Sequence, residues 1–143
     1  MPNTPVPLFP VVAAALIDPE GRVLVQQRPP GKQMAGLWEF PGGKIEPSET
    51  PEAALVRELA EELGIHVAAN DLVPATFASQ ALGAKHLVLL LYVCRRWTGE
   101  PQLLDAVALQ WVAPDALRQL AMPPADLPFI DVLTRWGRPG GRE

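Results

Sequence analysis

Three glutamates define the chemistry to look for. In Arg57-Glu58-Leu59-Ala60-Glu61-Glu62 the acids stand at i, i+3 and i+4, so a helix through this segment turns all three carboxylates to one face. Like charges so spaced destabilise a helix by roughly 0.2–0.5 kcal/mol per pair. A place late in the helix also sets them against the negative end of its dipole. No Lys lies within a turn to neutralise them, and helical spacing carries Arg57 to a neighbouring face. Clustered carboxylate oxygens are the ligands that Mg²⁺ or Mn²⁺ requires. A solvated glutamate face is the plainer reading, and the triplet alone favours it. The surroundings reverse the balance: Pro41-Gly42-Gly43 lets bare backbone approach a ligand, and Glu49 stands before the helix where it can pair with Arg57.

The elements that must position these residues follow from local signals. Thr50 is a helix N-cap, Pro51 suits the first helical position, and Gly64 lies just past the end. Leu55, Leu59 and Leu63 give that helix a core stripe. Phe9–Ile17 and Arg22–Arg28 read as strands around the turn Asp18-Pro19-Glu20-Gly21. Pro29–Gly43, rich in Gly and Pro, is expected to be largely irregular. Lys85–Trp97 reads as a long buried strand closed by a turn at Thr98-Gly99-Glu100-Pro101, and Val107–Val112 as another strand. Pro114–Leu120 and Leu127–Trp136 read as helices, the second capped by Asp126 and stopped by Gly137, with Arg138–Glu143 a frayed tail. That order predicts an α/β fold, a mixed sheet flanked by helices.

Composition narrows the function classes. At 143 residues, 48% hydrophobic and 20% charged, residues 1–143 suit one domain with an ordinary core. Sixteen acids against twelve bases give a net charge of −4, which argues against a nucleic-acid polymer as partner, since such binding is mostly phosphate neutralisation by Lys and Arg. The single Cys94 allows no internal disulfide and fits a reducing compartment. Met1–Pro10 lacks the Lys or Arg of a signal peptide, and the longest apolar run, Leu87–Cys94, is far short of the roughly 20 residues that span a bilayer. A cytoplasmic monomer without membrane contact is expected.

The chain resembles the Nudix hydrolases. Gly43, Glu49 and the run Arg57-Glu58-Leu59-Ala60-Glu61-Glu62-Leu63-Gly64-Ile65 match that signature at every defined position. The flanks Gln27-Arg28, Leu37-Trp38-Glu39-Phe40-Pro41-Gly42-Gly43-Lys44 and Pro123-Pro124-Ala125-Asp126-Leu127-Pro128 resemble its MutT-like branch, which cleaves nucleoside triphosphates, so the likeness runs from about Val11 to Trp136. The resemblance implies the Nudix α/β/α sandwich. It implies that Glu58, Glu61 and Glu62, with the Gly42 carbonyl, hold Mg²⁺ (Mn²⁺ as a substitute), with Glu58 favoured as the base that activates water. Arg57 and Glu49 are expected to form a supporting ion pair, and Asp105 is a further candidate metal ligand, its reach shortened by one methylene relative to the Glu of the branch. Arg28 is expected to contact the substrate phosphates, Phe40 to line the base pocket or the core, and Lys85 to place a cation near the nucleotide. Asp126 is either a reader of the base or a helix cap. His86 and Cys94 read as structural, as do Trp97, Trp111 and Trp136.

The expected activity is Mg²⁺-dependent conversion of a nucleoside triphosphate to a monophosphate and pyrophosphate, with removal of 8-oxo-dGTP first and a CTP or modified-pyrimidine triphosphate second. A nucleotide-sensing domain without activity and a DNA-repair appendage domain are the alternatives of other classes. The complete glutamate set disfavours the sensor, and the negative charge disfavours the appendage.

Overall fold

Two apolar runs that do not alternate, Val11–Ile17 and Leu87–Cys94, lie side by side at the centre of the molecule. In a computed structural model, which describes residues 5–136, they belong to β1 (Leu8–Leu16) and β6 (Lys85–Cys94), paired in parallel from Leu8↔His86 to Leu16↔Cys94. A parallel pair buried on both faces needs apolar residues at every position, which is why neither run shows a period of two. The remaining elements are β2 (Val23–Gln27), β3 (Trp38–Glu39), β4 (Gly42–Lys44), α1 (Pro51–Leu63), β5 (Val73–Leu82), β7 (Ala108–Val112) and α2 (Phe129–Trp136). They form a four-stranded sheet in the order β4-β1-β6-β5 and a three-stranded sheet in the order β3-β2-β7, joined by the bridge Ile17↔Val23.

The central strand divides the core. Val12, Ala14 and Leu16 pack with Leu55, Leu59 and Leu63 of α1, whereas Ala13, Ala15 and Ile17 pack with Phe129, Ile130 and Leu133 of α2. Helices thus cover both faces of a mixed sheet, as the element order predicts and as the α/β/α sandwich implied by the resemblance requires. α1 has the predicted bounds: the Thr50 hydroxyl accepts from the Ala53 N–H at 3.1 Å, and Gly64, at φ 70°, donates its N–H to Ala60 O.

Four sequence expectations are corrected. Val73–Leu82, with Pro74, three alanines, Ser79 and Gln80, carries no clear strand signal, yet it forms β5, its conformation set by antiparallel pairing with β6. The segment expected to be irregular contains β3 and β4, which bond to β2 and β1. Pro114–Gln119 is 3₁₀ rather than α-helical. α2 begins at Phe129, and Asp126 ends a separate 3₁₀ turn, Pro124–Asp126, so it does not cap that helix. Gly137 and Arg138–Glu143 lie outside the described residues. Among the described residues, no helix is long and apolar enough to cross a membrane.

Candidate active site

The acidic face of α1 lies over β4. A Cβ added at Gly43 would overlap the Glu58 carboxylate, and one added at Gly42 would overlap the Val12 carbonyl and the Ala13 Cα. Gly43 thus lets a helix carboxylate meet the strand directly, and Gly42 lets β4 close on the backbone of β1.

Arg57 ties this cradle together. Its Nε and Nη2 donate to the two oxygens of Glu49 at 2.6 and 2.8 Å, a forked pair that fixes the loop before α1. Nη2 also donates to the Lys44 carbonyl on β4 at 3.1 Å. Nη1 lies 3.2 Å from Glu58 Oε2 and 3.3 Å from Glu61 Oε1. Helical spacing places Arg57 on a neighbouring face, but its long side chain turns back across the carboxylates. Donation by Arg57, helped by the Glu46 N–H, holds the Glu49 carboxyl down at about 2. Burial pushes Glu58 up against the opposing pull of Arg57.

Glu62 faces inward. Its Oε1 accepts from Gln26 Nε2 at 3.0 Å and from the Gly42 N–H at 3.1 Å. Burial pushes its carboxyl to about 8, with Glu58 and Glu39 adding repulsion. Glu61 is the exposed member, its side chain 59% accessible.

A second acidic cluster adjoins the first. Glu39 on β3 pairs through Oε1 with Arg28 Nε at 2.9 Å, and Arg28 Nη1 donates to the Gln33 carbonyl. Asp126, only 6% exposed, accepts from the Phe40 N–H and lies within the field of Glu39 and Arg28. Burial first, and then the Glu39 charge, push the Asp126 carboxyl to about 7. Burial likewise raises Glu39, with Asp105 contributing repulsion.

The other candidates fall into place around these clusters. Asp105 is exposed before β7, and its charge acts on Glu39 rather than joining the α1 carboxylates. The Phe40 ring is in the core, 4% exposed and 6.1 Å from the Phe129 ring, so what it offers Asp126 is its backbone. Lys85 Nζ sits over the Phe9 ring at 4.7 Å, a ring it shares with Lys44 Nζ at 5.6 Å. His86 is engaged with Ser79 at 2.6 Å, and Cys94 is buried, its thiol donating to the Arg96 carbonyl.

Sequence reasoning did not single out Gln26 or Glu39 as site residues. The signal for Gln26 was available: an amide directly after Val23-Leu24-Val25 stands where that strand would otherwise continue the core. Glu39 could not be placed, because only the β2–β3 register, with Gln26↔Glu39, brings it beside Arg28 and Glu62.

The donor set suits a hard divalent cation. Glu58, Glu61, Glu62 and the Gly42 carbonyl offer only oxygen, and Gly43 lets the Glu58 carboxylate come against the strand where a Cβ would otherwise stand. Among the described residues, no three His, Cys, Asp or Glu side chains converge as they stand. Glu58 and Glu61 turn to Arg57, and Glu62 to Gln26 and Gly42, so an ion would take over contacts those partners now make.

Comparison with known proteins agrees with this geometry. The NUDIX domain family matches residues 7–133. The CTP pyrophosphohydrolase of Escherichia coli K12 is 38% identical over 84% of this chain and 87% of its own length. The 8-oxo-dGTP diphosphatase of the same organism is 35% identical over 87% of this chain and 95% of its own. The solution structure of the E. coli ORF135 protein superposes with a TM-score of 0.79 at 35% identity, covering 89% of each chain. The family is generally dependent on divalent metal, in keeping with the oxygen donors of α1. A match across most of the chain assigns this protein to the Nudix family, in its MutT-like branch, as a hydrolase of phosphoric anhydride bonds.

Proposed function

We propose that this hydrolase converts a nucleoside triphosphate to the monophosphate and pyrophosphate, using Mg²⁺, and that 8-oxo-dGTP is its first substrate. The observation that carries the reading is the carboxylate face of α1 set directly on the glycines of β4. Glu58, Glu61 and Glu62, with the Gly42 carbonyl, would hold the metal, which when bound neutralises phosphate oxygens and lowers the pKa of a bound water. Glu58 takes the proton of the attacking water; it is half-buried and touches Arg57, which restrains its position. Arg57 and Glu49 lock the loop to the helix and do not touch substrate. Asp105, exposed and beside Glu39, supplements the metal set at most from the rim. Arg28 and Lys85 supply the cations along the nucleotide.

Asp126 supports a specific account of base choice. A neutral carboxyl both donates and accepts, so it can give a proton to O6 of 8-oxoguanine and take one from N7–H; an ionised carboxylate only accepts. With its carboxyl pushed to about 7, Asp126 samples both forms near neutrality. The neutral form can equally donate to N3 of cytosine. That property, together with the likeness to a CTP pyrophosphohydrolase, favours a CTP or modified-pyrimidine triphosphate as the second reading. Comparison of kcat/KM across 8-oxo-dGTP, dGTP, CTP, 5-hydroxy-dCTP and a nucleoside diphosphate sugar tests the assignment. A clear preference for 8-oxo-dGTP over dGTP upholds the first reading, and a preference for the cytidine compounds replaces it with the second. Absence of pyrophosphate release from every triphosphate would instead favour a nucleotide sensor.

A further inference from the structure

Gln26 is one of two polar residues buried in the described structure, the other being Asp126. It is 3% exposed and follows three wholly buried apolar residues on β2. Two residues earlier, on the same face, Leu24 packs with the α1 leucines. An unbranched apolar side chain at position 26 would extend that contact. The amide instead leaves its own Oε1 buried with no hydrogen-bond partner among the described residues. Its other end is engaged: Nε2 donates to Glu62 Oε1, the oxygen that also receives the Gly42 N–H. Two donors on one oxygen restrain the rotation of the carboxylate and leave Oε2 as the oxygen they do not engage, on a side chain whose carboxyl interacts with that of Glu58. A residue chosen for stability would satisfy both ends of the amide or use none. This one sacrifices its oxygen to orient a carboxylate.

We propose that Gln26 is a positioning residue for the metal site, holding Glu62 so that its free oxygen faces the cation together with Glu58. The inference rests on the reading that the α1 glutamates hold the metal. Its mark is a pair of opposed effects. Removing the amide improves the fold and impairs the site, whereas an ordinary structural hydrogen bond would lose stability when removed and leave metal affinity unchanged.

The test uses the full chain, Mn²⁺ alone without nucleotide, and free Mn²⁺ followed by electron paramagnetic resonance, beside thermal melts in metal-free buffer. Gln26→Met keeps length and flexibility without polar atoms, and it is expected to raise Tm while weakening Mn²⁺ binding by about tenfold or more, the usual scale for a residue that orients a ligand. Gln26→Asn keeps the amide but falls one methylene short of Glu62. It is expected to weaken Mn²⁺ binding similarly, without the gain in Tm. Glu62→Gln is the control for the underlying reading. Unchanged Mn²⁺ affinity in both Gln26 variants, with weakened binding in Glu62→Gln, overturns the positioning role alone. Unchanged affinity in Glu62→Gln as well overturns the metal assignment and the proposal with it. A lower Tm in Gln26→Met with normal Mn²⁺ affinity makes Gln26 an ordinary structural residue and also overturns the proposal.

Discussion

At the scale of single residues, the site depends on geometry that charge alone cannot supply. Arg57 reaches Glu49, Glu58, Glu61 and the Lys44 carbonyl at once, which requires a planar fork with several donors. Arg57→Lys keeps the charge and loses the fork, so kcat is expected to fall by about tenfold or more while the chain stays folded; full activity in steady-state assays would leave charge as the only requirement. Glu61 is the exposed carboxylate, tied only to Arg57 among the contacts described, so its loss hardly disturbs packing. Glu61→Gln should lower kcat by about a hundredfold or more through loss of an anionic ligand. Its melting temperature should be unchanged or slightly higher, because one like-charge contact is relieved. Near-normal turnover would remove Glu61 from the metal set.

At the scale of elements, the decisive contact is α1 against β4. Thr50 and Gly64 set where the helix starts and stops, and Leu55, Leu59 and Leu63 dock it on the central strand, which fixes the height and rotation of its acidic face. Gly43 of β4 then decides how closely that face approaches. Gly43→Ala puts a methyl group into the Glu58 carboxylate. The predicted result is a near-normal circular dichroism spectrum with kcat/KM reduced by about a hundredfold, since a misplacement of about 1 Å is enough for such a loss. A fully active Gly43→Ala enzyme would show that Glu58 can work from another rotamer. The helix caps and the glycine pair were legible in the sequence because each is a local signal. β5 was not legible, because a segment with Pro74 and three alanines adopts the strand through the partner that β6 offers.

At the scale of the whole molecule, folding brings together acids that are distant in the chain: Glu39 from β3, Glu62 from α1 and Asp126 from the turn before α2. Their mutual repulsion and burial have a thermodynamic consequence. An ordinary aspartate gives up its proton near 3.8, and Asp126 in the fold near 7. Between those values the unfolded chain binds fewer protons than the folded one, so the Asp126 contribution destabilises progressively as pH rises through that window and is constant above it. Asp126→Asn cannot ionise and keeps an oxygen for the Phe40 N–H. Its Tm relative to the parent protein should therefore rise from pH 4 to about pH 7 and then level off. The ratio of kcat/KM for 8-oxo-dGTP over CTP should change by about tenfold in this variant and lose its pH dependence, if Asp126 reads the base. A parallel pair of Tm curves would place the ionisation elsewhere, and an unaltered substrate ratio would separate Asp126 from base recognition.

The sequence by itself determined the α/β class, the bounds of α1, the shared face of Glu58, Glu61 and Glu62, and the likeness that led to the family. Each of these is written in residue types at fixed short spacing, where helical period, capping and backbone sterics act within a few residues. Tertiary structure alone decided that Arg57 turns back over its neighbours, that Gln26 and Gly42 grip one oxygen of Glu62, and that Asp126 is a buried acid beside Glu39 and not a helix cap. The Arg57 contacts are local and turn on the rotamer its side chain takes, whereas the grip on Glu62 and the burial of Asp126 depend on contacts between distant segments, as in Gln26 with Glu62 at a separation of 36. Local sequence carries no information on such distances, and a carboxyl becomes a buried proton carrier only when the surrounding chain removes its water.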